Sequence, residues 1–275
     1  MINLTEIFKP KTLEEALTLL RRPGAAALAG GSGLLAGGRD DIHAVVDLSG
    51  LGLAYVREEN GQVAIGAMTT LEGMAGSQVL RSRANGIVAQ AAHRSAASVL
   101  RNQSTLAGTM IVEPTGILAT ALVALDAEVR TVPAASRAVL LTDFLGSGAA
   151  AGTIVTEILI PAASLLRRTA LETVARTPRD KPIVTACAAV EFQDGKVGAS
   201  AIALGGVAAT AVRAPAAEKR LAGQAADDAS IEAAARAAQE GLKPPSDHLG
   251  SDEYRLQMVR VLVRRALRAA ASVTG

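Results

Sequence analysis

Residues 28–38 read LAGGSGLLAGG, five glycines in eleven positions. An apolar run at 25–29 precedes them and a second at 44–48 follows, both with the look of short strands. Glycine has no Cβ and tolerates φ > 0, so a ligand can come close to the main chain and successive N–H groups can converge on an anion. The residues admit two readings: a phosphate cradle, or a tight strand-to-strand turn without a ligand.

Known loops of this kind fit poorly. The spacing Gly31-x-Gly33-x-x-Ala36 matches the dinucleotide fingerprint with alanine in its last place. A Rossmann unit then needs a crossover of roughly ten helical residues, and Gly37-Gly38 should stop any helix at once, so the sequence argues against it. No Gly-Lys-Ser/Thr follows, which excludes a Walker loop. Gly30-x-Ser32-x is followed by Leu34 rather than glycine, which excludes a nucleophile elbow. Ser32 therefore reads as a hydroxyl donor or a turn residue.

Composition narrows the function classes. A chain of 275 residues suggests two domains. With no tryptophan, two tyrosines and three phenylalanines it is poorly equipped to stack nucleic-acid bases, and a net charge of +2 gives no electrostatic footprint for them. Cys187 is the only cysteine, so the chain can form no internal disulfide and cannot by itself ligate an iron–sulfur cluster. It lies in the apolar run 183–190 and reads as a buried, inert thiol. His43, His93 and His248 share no zinc-ligand spacing. Asp40-Asp41 and Asp227-Asp228 read as loop and helix-start charges. Neither a signal-peptide pattern nor a membrane-length apolar run is present, so a soluble cytoplasmic protein without a membrane span is expected.

Along the chain, Thr12 with Glu15 forms a capping box before a helix that Pro23-Gly24 ends. The Asn60-Gly61 turn precedes a strand at 62–67, a helix starts near Thr69, and a further helix is expected over 87–98. A second donor-rich segment, RNQSTLAGTMIVEPTG, spans 101–116. Beyond it the pattern predicts a helix over 118–126, a strand over 127–132, a turn at 144–148 and a strand at 154–160 closed by Pro161. Three strands follow at 168–176, 183–192 and 196–204, then helices at 214–221, 230–241 and 251–271. The final helix carries Arg255, Arg260, Arg264, Arg265 and Arg268, read as a solvated basic face, with a docking face for a partner as the alternative.

Several stretches in order resemble one family. FKPKTLEEALTLL, LAGGSGLL, IGAMTTLEGM, RNQSTLAGTM, TEILIP and SDEYRLQMVRVLVRRAL look like successive parts of the FAD-binding medium subunit of molybdenum hydroxylases, the carbon monoxide dehydrogenase and xanthine dehydrogenase group. The resemblance implies an α+β fold: a two-subdomain FAD-binding domain (PCMH-type) over 1–162, split at 50/51, then a C-terminal domain over 163–275 with three antiparallel strands and a helical bundle. It implies an oxidoreductase flavoprotein subunit that is inactive on substrate alone. Its partners would be a molybdopterin-binding large subunit and a 2Fe–2S small subunit, whose electrons pass through FAD to an acceptor. By position, the N–H groups of Ala29, Gly30, Gly31, Ser32, Gly33, Leu34 and Leu35 would wrap the pyrophosphate. Thr105 would add a hydroxyl, and Gly108 would permit close approach. Thr109 stands where the family usually has asparagine, and Glu113 where it has aspartate.

The chain also departs from the pattern. Ser104 replaces the first glycine of the second loop, Ile117 an acidic residue, and Thr173 a lysine of the C-terminal domain. A scaffold subunit that binds flavin weakly or not at all is therefore the alternative.

Overall fold

The Thr12 hydroxyl accepts from the Glu15 N–H and starts the helix Leu13–Leu20, while the Glu15 carboxylate accepts from the Lys11 N–H just before the cap. This opening belongs to a computed structural model that describes residues 4–36, 40–133, 138–150, 152–177 and 180–273. Gly37 and Gly38 thus lie outside the described residues.

Three sheets organise the chain. The first is parallel, with order β1-β3-β2, from β1 (Glu6–Phe8), β2 (Ala25–Leu28) and β3 (Ala44–Asp47). β1 adds a strand before the expected helix. The parallel pairing of β2 with β3 corrects one inference: a crossover does join them, in reduced form. Among the described residues its helix is Ser32–Ala36.

The second sheet is antiparallel, with order β4-β5-β8-β6-β7. It comprises β4 (Val56–Glu59), β5 (Gln62–Gly66), β6 (Glu128–Val132), β7 (Val139–Leu140) and β8 (Ile154–Ile160). The hairpin from β4 to β5 turns at Asn60-Gly61, as its sequence predicts. Against this sheet pack the helices Leu71–Gly76, Ile87–Arg94 and Ile117–Ala124, the last buried at every residue. Residues 144–148 correct the expected turn. They lie mostly in the helix Leu141–Ser147, which buries Leu141, Phe144 and Leu145 at helical spacing. Gly146 is tolerated inside it, and Gly148 at φ +73° follows as its C-cap.

The third sheet, β12-β11-β10-β9, is antiparallel: β9 (Arg168–Val174), β10 (Val184–Gln193), β11 (Lys196–Gly205) and the short β12 (Val212–Arg213). It has four strands where three were expected, because β12 is two residues long and carries no alternation to read. Its two faces differ in size. Val184, Ala186, Ala188, Val190, Ile202 and Leu204 face the helices Pro215–Leu221, Asp228–Ala237 and Asp252–Ser272. Cys187, Ala189, Ala201 and Ala203 join the core built around Ile117–Ala124. Small side chains on that face let the helix segment come close. A Cβ on Gly205 would sit 2.3 Å from the Thr115 carbonyl oxygen. Cys187 is fully buried, and burial pushes its thiol up to about 12, as expected of an inert cysteine.

The final helix corrects the reading of a solvated basic face. Arg255 is 3 % exposed. Its guanidinium donates to the carbonyls of Ile183 (2.6 Å) and Gly206 (2.7 Å) and, bidentate, to Asp247 (2.7 and 2.8 Å). Arg260 and Arg264 pair with Glu232, and Arg268 with Asp228, so three more arginines bind the neighbouring helix. Only Arg265 stays exposed without such a pair among the described residues.

Candidate functional site

The two donor-rich segments lie 72 residues apart in sequence and meet in space. The Ser32 and Ser104 hydroxyls are 3.2 Å apart. A Cβ on Gly30 would lie 1.8 Å from the Gln103 carbonyl oxygen, so main chain packs on main chain where the loops touch. A Cβ on Gly33 would lie 2.5 Å from the Val112 side chain, which places the helix Ser32–Ala36 against the helix Leu106–Val112. The glycines of the first loop therefore serve loop-to-loop packing directly.

Gly31 adopts φ +76°, a left-handed conformation that glycine takes without strain. Among the described residues, the N–H groups of Gly30, Gly31 and Ser32 meet no acceptor. All three residues are half-buried. Ala29 and Leu34 flank them, also half-buried, and Leu35 continues the short helix. Half-buried donors without partners are costly unless water or a ligand supplies acceptors.

The second loop is different. The N–H groups of Gln103 and Ser104 both donate to Leu100, that of Leu106 to Thr69, that of Ala107 to Ala67 and that of Thr109 to Thr105. Thr105 is the N-cap of the helix Leu106–Val112: its hydroxyl oxygen accepts from the Gly108 N–H at 3.3 Å, and the residue is 3 % exposed. Gly108 makes room for that cap, since a Cβ there would lie 3.0 Å from the Thr105 hydroxyl oxygen. Thr109 is half-buried on the same helix. Glu113 ends it, and its carboxylate pairs with Lys181 at 2.9 Å. Thr105→Val is therefore expected to lower stability by about 1 kcal/mol through loss of the cap; a denaturant midpoint identical to the parent's would contradict this.

The departures noted in the sequence have structural counterparts. Ile117 is 6 % exposed inside the core. Thr173 on β9 accepts from the Arg94 guanidinium at 2.7 Å, so an arginine from the helix Ile87–Arg94 brings a positive charge to this position. Arg101, at the head of the second segment, is locked by Glu72 (2.6 Å) and by the carbonyls of His93 and Ala96. Two surface cavities, ≈ 610 and ≈ 540 Å³, share Arg168 and Phe192 and include no residue of either loop. Among the described residues no group of three His, Cys, Asp or Glu side chains is placed to hold a metal ion, and no single helix is long and apolar enough to cross a membrane.

Residues 3–163 match the family described as the FAD binding domain in molybdopterin dehydrogenase, and residues 169–270 the CO dehydrogenase flavoprotein C-terminal domain. The chain belongs to the FAD-binding medium subunits of carbon monoxide dehydrogenase-type molybdenum hydroxylases. Among relatives of this medium subunit, the carbon monoxide dehydrogenase medium chain of Hydrogenophaga pseudoflava is 32% identical, covering 96% of each chain. The glyceraldehyde dehydrogenase medium chain of Sulfolobus acidocaldarius is 26% identical, covering 96% of this chain and 97% of that one. In three dimensions the subunit superposes on the carbon monoxide dehydrogenase of H. pseudoflava that lacks the Mo-pyranopterin moiety of its molybdenum cofactor, with TM-score 0.91, 30% identity and 98% coverage of both chains. The α+β architecture of an FAD-binding domain followed by an antiparallel sheet with helices is thus that of carbon monoxide dehydrogenase medium chains.

The sequence singles out the two loops separately, and the structure brings them together. Sequence reasoning missed Ser104 as a partner of Ser32 and treated it only as a departure. No local signal links two serines so far apart; only the meeting of the loops does.

Proposed function

We propose that this chain binds one FAD non-covalently between its two loops and serves as the electron-transfer subunit of a cytoplasmic molybdenum hydroxylase-type oxidoreductase. Electrons would arrive from a 2Fe–2S small subunit, in a complex whose large subunit carries the molybdopterin, and leave for an acceptor. The observation that carries the reading is the set of N–H groups at Gly30, Gly31 and Ser32 that meet no acceptor among the described residues, held against the second loop by the Gly30–Gln103 contact. Successive main-chain donors of this kind suit a diphosphate. They are the donor chemistry that the cofactor implied by the family calls for. Ala29, Leu34 and Leu35 complete the first loop, and Ser104, Thr105, Gly108, Thr109 and Glu113 are the second segment's candidates for the same cofactor.

When bound, FAD supplies the redox chemistry, accepting electrons and releasing them to the acceptor. The chain's own residues bind and orient. The first loop offers donors, the buried cap at Thr105 fixes the facing helix, and Arg101 fixes the segment before it. Neither loop contains a histidine or cysteine, so neither offers a residue for the usual covalent flavin links.

The isolated chain is expected to oxidise no substrate. Its flavin should be reduced by a chemical reductant or by a reduced partner subunit, as followed by loss of flavin absorbance. Substrate-dependent reduction in the pure chain would overturn the assignment. The second reading, a scaffold subunit with weak or no flavin binding, draws on one observation: the second loop spends its backbone donors inside the protein.

A further inference from the structure

The backbone of the second loop can give a ligand little. Five of its N–H groups, those of Gln103, Ser104, Leu106, Ala107 and Thr109, are bound to main-chain carbonyls, and a sixth, that of Gly108, to the Thr105 hydroxyl. The Thr105 hydroxyl is itself buried under that bond. Among the described residues the Thr105 N–H alone of this run, 103–109, meets no acceptor, and Thr105 is 3 % exposed; Ser104 adds a side-chain donor. It is half-buried, it stands where the family usually has glycine, and its hydroxyl has one partner among the described residues, Ser32.

Ser32 carries one of the first loop's N–H groups that meet no acceptor among the described residues. Two hydroxyls carry two protons between them, and their mutual bond uses one. At least one O–H therefore remains to donate beyond the pair. The main-chain contact of Gly30 with Gln103 fixes the separation of the two serines, so the pair is positioned before any ligand arrives.

We propose that the Ser32–Ser104 pair is the second loop's contribution to diphosphate binding: Ser104 delivers a side-chain donor, through and beside Ser32, to the anion held by the first loop. This assignment rests on the FAD reading above and deepens it. The hydroxyl supplements a backbone whose donors, that of Thr105 apart, are committed elsewhere among the described residues. Restoring the glycine that the family usually carries should therefore not restore affinity.

The test uses the full chain, with FAD and ADP as diphosphate probes and riboflavin as a probe without phosphate, titrated by calorimetry. Ser104→Ala and Ser104→Gly are each expected to weaken FAD and ADP about ten-fold, as loss of a charge-assisted bond would, and to leave riboflavin unchanged. Ser32→Ala with Ser104→Ala together should cost less than the product of the two single losses, because the hydroxyls act as one unit. Circular dichroism confirms that the variants fold. Parent-like FAD and ADP affinity in both Ser104 variants would overturn this inference and leave the FAD reading standing. A parent chain that binds neither FAD nor ADP would overturn both.

Discussion

Gly31→Val is expected to weaken FAD binding by ~100-fold or more, about 3 kcal/mol, while the chain stays folded. Gly31 sits at φ +76°, where a β-branched side chain is strained. Valine would draw the backbone out of the left-handed region and reorient the N–H groups of Gly31 and Ser32. The residue is half-buried in a loop rather than packed in the core, so the strain falls on the loop and spares the fold. Dissociation constants from calorimetry, with circular dichroism as the folding control, measure the effect. Parent-like affinity would reduce LAGGSGLLAGG to a turn without a ligand.

Arg255→Met is the largest expected loss of stability, about 3 kcal/mol. The change keeps an apolar stem in place of the arginine chain and removes the charged donor. The carbonyls of Ile183 and Gly206 then lose their guanidinium partner, and Asp247 loses a bidentate one. Asp247 is held below the usual carboxylate range first by the Leu249 N–H and then by Arg255, so its own turn should persist in the variant. Equilibrium unfolding in urea tests this. A midpoint shift as small as that of an exposed arginine would mean that the buried guanidinium contributes nothing.

Much of this structure was legible from local pattern. The cap at Thr12, the Asn60-Gly61 turn, the strand Ile154–Ile160 and the long final helix all rest on signals within a few residues of one another. What escaped depends on partners far away in the chain. Arg255 looks like any arginine on a helix face, and only the arrival of Ile183, Gly206 and Asp247 shows that it is interior. β12 exists because β11 offers it an edge. The parallel pairing of β2 with β3 carries no local signal, because the described helix between them is as short as Ser32–Ala36.

The site divides in the same way. The first loop announces itself through glycine content, and its unpartnered donors agree with that signal. In the second loop, Thr105 and Gly108 form a cap inside the protein, Glu113 is engaged by Lys181, and Ser104 became visible as a contributor only once the loops met.

The most direct test of the account is a titration of the flavin-free full chain with FAD, followed by quenching of flavin fluorescence and by calorimetry. The account predicts saturable binding of one FAD per chain, released intact on denaturation because no covalent link forms. A correctly folded chain that takes up no FAD would contradict it and leave the scaffold reading in its place.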